Sequence, residues 1–199
     1  HFSIWQQVLA QHGHELTAQA YEAELSGLPS LHNAQKLVEK HNLATTPDTL
    51  SKQKYDAMSA YLAQTAHPAL PGVKPLLKAL KAQGVTLAIV TGAPRAHILS
   101  TLAEHGWNDI FTHAITADDV PRTKPYPEPY TVALKLLGLR PDEAFAIEDT
   151  QTGMTAARAA GLACVVVPHA LSQNQDFSQA TARAADLAEA VAWGLEAQR

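Results

Sequence analysis

The feature that most constrains this chain is a regular alternation of apolar runs and helical patterns between residues 73 and 195. Runs of aliphatic and small side chains occur at 85–90, 113–116, 144–147 and 162–167. Helical segments lie between these runs, and several of them end at a glycine. Strands that alternate with helices form right-handed βαβ units. The sequence therefore predicts an α/β fold, with a parallel sheet covered by helices on both faces.

The first 68 residues have a different pattern. Apolar side chains recur there at helical spacing in three stretches, which begin near Phe2, Leu31 and Leu50. We therefore expect two domains, a helical domain at 1–68 and an α/β domain at 69–199. Within the first, residues 1–13 are expected to form the helix that connects the two domains.

Charge and apolar content exclude several classes of partner. The net charge is −4 and no run of Lys or Arg is present, which argues against nucleic acids and anionic membranes as partners. No apolar stretch approaches the roughly 18–20 residues that cross a bilayer. The single cysteine, Cys164, lies in an apolar run and suits a reducing compartment. We expect a cytoplasmic monomer that binds neither nucleic acid nor membrane.

A hydroxyl and a glycine directly follow the apolar run at 85–90. The Thr91 hydroxyl and the Gly92 backbone N–H can both donate to a phosphate oxygen. The helix predicted from Pro94 adds its positive N-terminal end. An ordinary helix N-cap is the alternative interpretation of this pair.

Charged side chains follow later in the same domain. Lys124 lies in a loop stiffened by two prolines, where a fixed ammonium group can stabilise a phosphoryl group. Glu148 and Asp149 end the run at 144–147, and carboxylates are the ligands that Mg²⁺ prefers. A solvated surface lysine and a plain N-cap aspartate are the alternatives when each feature is taken alone.

Together these features resemble the haloacid dehalogenase superfamily, in its branch of β-phosphoglucomutase-like phosphatases. The matching residues are Thr91 and Gly92 for the second motif, Lys124 in Lys-Pro-x-Pro for the third, and Glu148-Asp149-Thr150 with Gly153 for the fourth. The resemblance implies a Rossmannoid parallel sheet with a small helical cap domain, here residues 1–68. It also implies that Thr91 and Lys124 are catalytic, and that Thr91, Gly92 and Lys124 bind the phosphate.

The family's first motif, Asp-x-Asp-Gly-Thr, does not occur in the 199 residues. In relatives it ends the central strand and supplies the nucleophile and the general acid/base. His1 and Trp5 resemble a His-x-x-x-Trp helix that closely follows that motif. We therefore expect an upstream segment that carries the central strand and both aspartates, and we expect residues 1–199 to be inactive without it. A non-catalytic relative is the alternative if the native protein lacks the motif.

The resemblance further implies an Mg²⁺-dependent phosphatase that forms an aspartyl-phosphate, with Glu148 and Asp149 as metal ligands. Its substrate would be a small phosphorylated metabolite, a sugar or polyol phosphate. The cap residues expected to face that substrate are His1, Gly27, Ser30, His32 and Asn33. No Arg or Lys follows Gly27 until Lys36, which favours a phosphatase over the alternative, a β-phosphoglucomutase-type mutase.

Overall fold

A computed structural model describes residues 1–64 and 68–197. The chain divides into two compact units, His1–Thr65 and Ala66–Arg199. The predicted boundary between residues 68 and 69 falls beside residues 65–67, which lie outside the described residues. Nowhere in the described ranges is there a helix with the length and apolar character needed to cross a membrane.

The N-terminal unit is built from four helices over its described residues. They are α1 (Phe2–Gln11), α2 (Ala18–Glu24), α3 (Ser30–His41) and α4 (Pro47–Gln64). Helix α4 packs against both α1 and α3. Helix α1 buries one stripe, formed by Ile4, Trp5, Val8 and Leu9, because residues three or four apart lie on the same face. Burying such side chains stabilises the unit by roughly 1.5–3 kcal/mol each.

The C-terminal unit alternates helices and strands, as expected of an α/β fold. Its helices are α5 (Val73–Ala82), α6 (Arg95–His105), α7 (Glu128–Leu137), α8 (Gln151–Ala159) and α9 (Leu187–Ala197). Its strands are β1 (Ala88–Val90), β2 (His113–Ile115), β3 (Phe145–Glu148), β4 (Ala163–Val166) and β5 (Ala182–Arg183). Both α6 and α7 end at a glycine with left-handed backbone, Gly106 and Gly138, a conformation that glycine adopts without steric cost.

All the strand pairs in the described residues are parallel. Strand β1 pairs with β2, and β4 lies between β3 and β5 in a second sheet. The centre of this second sheet is apolar, since Cys164, Val165 and Val166 of β4 are fully buried. Such a continuous buried run is typical of a strand covered on both faces.

A groove separates the two sheets. It has a volume of about 610 Å³ and apolar walls. Ala88 and Val90 of β1 line it, and so do Phe145, Ala146 and Ile147 of β3. The strands β1 and β3 therefore face each other across an apolar space that belongs to neither sheet.

Three elements differ from the sequence-based expectation. The strand predicted over 85–90 begins at Ala88, and residues 85–87, between the turn at 83–84 and this strand, belong to no helix or strand. Helix α2 and strand β5 were not predicted. The first has seven residues and the second has two, too few to show a periodic pattern.

Candidate active site

The parallel arrangement brings several polar side chains to the carboxyl ends of the strands, where α/β proteins place their sites. Thr91 directly follows β1, and Glu148 is the last residue of β3. His169 comes shortly after β4. Lys124 reaches the same edge from the loop before α7.

The turn after β1 is held by the hydrogen bonds of Thr91 and leaves one side open. Thr91 N–H donates to the Ile115 carbonyl at 2.9 Å, and the Thr91 hydroxyl accepts from Ala93 N–H at 3.1 Å. A side chain at Gly92 would meet nothing within 4 Å. The N-terminal amide of α6, at Arg95, donates to the Asp118 carboxylate at 2.8 Å. Open space therefore adjoins Gly92, whereas an acidic side chain already caps the helix.

Lys124 joins the ends of β1 and β3. Its Nζ donates to the Val90 carbonyl at 2.9 Å and to Oε1 of Glu148. The Lys124 side chain is 16% exposed. The ring of Tyr130, on α7, lies 5.3 Å from Nζ, within the range of a cation–π contact. The structure thus fixes the ammonium group against the carbonyl of Val90, the residue that precedes Thr91.

Glu148 is turned inward rather than toward solvent. It is 7% exposed, and its Oε1 also accepts a hydrogen bond from the Tyr130 hydroxyl. The carboxylate occupies the place where a larger residue than Gly153 would put its side chain, since a Cβ there would lie 1.9 Å from Oε2. Burial and the nearby carboxylate raise the pKa of Tyr130 well above its usual value. Tyr130 therefore stays a hydrogen-bond donor at neutral pH.

Asp149 has the opposite orientation, with 59% of its side chain exposed. Its Oδ2 lies 3.5 Å from Nε2 of His169. The other ring nitrogen of His169, Nδ1, accepts from Leu171 N–H at 3.0 Å. That bond leaves the proton of a neutral ring on Nε2, so that it points toward the carboxylate.

The donor set fits a hard cation only in part. No group of three or more His, Cys, Asp and Glu side chains forms a metal site within residues 1–64 and 68–197. Asp149 offers an exposed carboxylate, and Mg²⁺ needs few protein ligands because it retains several waters. Glu148 has one oxygen committed to Lys124 and Tyr130. The chemistry of Asp149 therefore suits Mg²⁺, as one ligand among several.

The five cap residues named from the sequence all lie in the N-terminal unit. His1 is exposed and precedes α1, and Gly27 has a positive φ of 78°. Ser30 begins α3 and His32 is exposed on it. Asn33 is 3% exposed, and its Oδ1 has no hydrogen-bond partner among the described residues. Asn33 is thus the most deeply buried of the five.

Three polar residues of interest were missed by the sequence reasoning. Tyr130 gave no signal, because an aromatic residue in a helix predicts packing. Lys54 of α4 is 7% exposed; it lies four residues from both Leu50 and Met58, which are also buried, so its place in that stripe was a usable signal of burial. His169 could have been found, since it shortly follows the apolar run at 162–167 and so lies at a strand's carboxyl end.

Comparisons with known proteins agree on one family. The model of the family described as haloacid dehalogenase-like hydrolase matches residues 1–167. Protein CbbY of Rhodobacter capsulatus is 40% identical over 124 residues, which are 61% of this chain and 55% of that protein. Fructose-1-phosphate phosphatase YqaB of Escherichia coli (strain K12) is 30% identical over 169 residues, 84% of this chain and 87% of that protein. The matched part thus spans about half of the first relative and most of the second.

A solved structure has the same architecture. CbbY from Rhodobacter sphaeroides, in complex with xylulose-(1,5)bisphosphate, superposes with a TM-score of 0.81 and 23% identity, over 94% of this chain and 87% of that one. At this identity the likeness shows the fold, which is α/β with a parallel arrangement of strands. Because the family model spans most of the sequence, the chain belongs to the haloacid dehalogenase-like hydrolase family.

Proposed function

We propose that this protein hydrolyses the phosphate ester of a small sugar or polyol, with Mg²⁺ as cofactor. The observation that carries the proposal is the position of Lys124. Its ammonium group is fixed between the ends of β1 and β3 by Glu148 and by the carbonyl of Val90, the residue that directly precedes Thr91 and Gly92. A cation and N–H and O–H donors around one space are what a phosphoryl group requires.

In the proposed site, Thr91, Gly92 and Lys124 hold the phosphoryl oxygens. Asp149, with Glu148 and the upstream motif, would hold Mg²⁺, which when bound neutralises the repulsion between a nucleophilic carboxylate and the phosphate. Because Lys124 is anchored at both strand ends, it needs little reorganisation as negative charge develops.

The proposed reaction uses two aspartates of an upstream segment. The first attacks phosphorus while the bond from phosphorus to the substrate oxygen breaks, and the second gives that oxygen a proton. Water, deprotonated by the second aspartate, then hydrolyses the aspartyl-phosphate and releases inorganic phosphate. Residues 1–199 by themselves therefore turn over no substrate in this scheme.

The groove between the sheets supports the proposal of an upstream strand. Strands β1 and β3 line its two sides, and Lys124 lies at one end of it by bonding to Val90 and Glu148. A short apolar strand parallel to both would join them into one sheet. Its carboxyl end would then lie beside Thr91, Lys124 and Asp149, where a nucleophile is needed.

The helical N-terminal unit is proposed to act as a cap that selects the substrate. YqaB, one of the relatives, is named a fructose-1-phosphate phosphatase. In this chain Lys36, the first Lys or Arg after Gly27, donates to the Glu24 carbonyl at 3.0 Å. Since this lysine is used within its own unit, it is a poor candidate to hold a second phosphate, which favours a phosphatase over a mutase.

The first test is the intact mass and N-terminal sequence of the native protein. We expect a preceding segment that contains Asp-x-Asp. The native-length protein is then assayed for phosphate release from fructose 1-phosphate and hexitol phosphates, with and without Mg²⁺. We expect release that requires Mg²⁺ and is lost in Lys124→Ala and Asp149→Asn.

Two results would contradict the proposal. A native chain that begins at His1 would make the protein a non-catalytic relative. Isomerisation of a sugar phosphate that depends on a bisphosphate activator, without net release of phosphate, would make it a mutase.

A further inference from the structure

One buried side chain beside the site has no part in the reaction proposed above. Tyr130 lies on α7 and is 6% exposed, and its hydroxyl donates to Oε1 of Glu148. The same oxygen accepts from Nζ of Lys124. Tyr130 and Lys124 thus share one carboxylate oxygen, and only Lys124 among the three side chains is partly exposed.

Because Glu148 is buried, the hydrogen bond from the Tyr130 hydroxyl is important in addition to the one from Lys124. A buried carboxylate loses its hydration, and each oxygen then depends on protein donors. Oε2 lies over Gly153, where the absence of a side chain leaves room for it. With the Tyr130 hydroxyl in place, Glu148 is held from the α7 side as well as from the Lys124 side, so the carboxylate has one defined position.

The position of Glu148 in turn defines the position of Lys124. The ammonium group has two oxygen partners, the Val90 carbonyl and the Glu148 carboxylate, one at each strand end. If Glu148 is free to rotate, the second of these contacts is no longer fixed. The ammonium group then keeps the Val90 carbonyl but loses the contact that fixes it between the ends of β1 and β3.

We propose that Tyr130 is a positioning residue, whose hydroxyl holds Glu148 against Lys124 and thereby orients the Lys124 ammonium group at the phosphate site. The effect on turnover rests on the proposed function. The effect on the orientation and protection of Lys124 does not, because it follows from the buried contacts alone.

The test is Tyr130→Phe in the native-length protein, which keeps the aromatic ring and removes the hydroxyl. The matched control is Tyr21→Phe, because Tyr21 is also 6% exposed but lies in the N-terminal unit. We expect Tyr130→Phe to lower kcat by about 10-fold to 100-fold, as small misplacements of a catalytic group do, and to leave KM unchanged. Tyr21→Phe should change neither constant.

A second measurement needs no activity. Lysines are acylated with acetic anhydride, and mass spectrometry gives the labelling of Lys124 relative to exposed Lys78. We expect faster labelling of Lys124 in Tyr130→Phe and an unchanged ratio in Tyr21→Phe. A purely structural tyrosine would lower the melting temperature without changing this ratio or kcat.

The outcomes separate the two proposals. Unchanged kcat together with an unchanged labelling ratio in Tyr130→Phe overturns the role of Tyr130. If the wild type releases no phosphate, the proposed function fails, and the labelling ratio alone then decides whether Tyr130 positions Lys124.

Discussion

At the scale of single residues, Lys54 is a buried cation in the helical unit. It is 7% exposed, and burial lowers the pKa of its amino group to about 8 from the usual 10.5. The folded state therefore binds this proton more weakly than the unfolded state does. Burying the charged amine therefore lowers the free energy of unfolding, and this destabilisation has its full size below pH 8. It decreases as the pH rises from 8 to 10.5.

This cost predicts that Lys54→Met stabilises the protein. A shift of this size corresponds to up to about 3 kcal/mol, so we expect a higher free energy of unfolding at pH 7 and a smaller gain at pH 10. Urea unfolding at both pH values measures it. Lys52→Met is the control, because Lys52 is exposed and pairs with Asp56 on the surface, where a change within about 0.5 kcal/mol is expected. A less stable Lys54→Met protein would refute the argument.

Gly153 gives a second prediction at this scale. A methyl group at this position would overlap the Glu148 carboxylate, so Gly153→Ala is expected to cost about 1–3 kcal/mol of stability by overpacking. Gly92→Ala should cost little, since its Cβ meets nothing within 4 Å. Thermal unfolding of both variants, and of Gly153→Ala in a Glu148→Ala background, tests the cause. If the loss is the same in both backgrounds, the carboxylate is not the group that is displaced.

At the scale of elements, α8 begins directly after the acidic pair. Thr150 is its N-cap, and the Thr150 hydroxyl accepts from Gly153 N–H at 3.2 Å. The amide of Gln151 donates to the side chain of Gln175 at 2.8 Å. Two amides of the first turn thus have side-chain partners, which fixes the start of the helix immediately after Asp149.

We therefore predict that Thr150→Ala destabilises the protein by about 1 kcal/mol, the usual cost of a lost N-cap. Thr150→Ser keeps the hydroxyl and should stay close to the wild type. Chemical unfolding of the two variants measures the difference. Equal stability of Thr150→Ala and Thr150→Ser would show that the cap bond contributes nothing.

Other elements of the C-terminal unit show how much of the fold could be predicted from the sequence. The strands at 144–147 and 162–167 and the helix from 127 to 137 were found within one or two residues, because apolar runs and glycines delimit them. The placement of Lys124 on Glu148 could not be predicted. It depends on how the loop before α7 lies across β1 and β3, which no local pattern encodes. For the same reason the inward orientation of Glu148 and the outward one of Asp149 appear only in the structure.

At the scale of the whole molecule, the two sheets of the C-terminal unit would become one if a strand filled the groove between β1 and β3. Thr91 N–H donates to Ile115 in β2, and alternate residues of a strand point to opposite sides. The N–H of Val90 therefore points away from β2, toward the groove. The Glu148 carbonyl accepts from Val167, so the N–H of Ile147 points away from that neighbour in the same way.

These directions make the proposed upstream strand testable by hydrogen exchange. In the native-length protein, the amides of Val90 and Ile147 should exchange much more slowly than in residues 1–199, because an inserted strand would accept from them. The amides of Ile89 and Ala146 point to existing neighbours, so they serve as internal controls and should change less. Exchange measured by NMR on both proteins compares the four amides directly. Equal exchange at Val90 and Ile147 in the two proteins would mean that no strand enters the groove, and the site would then lack the nucleophile that the proposed reaction requires.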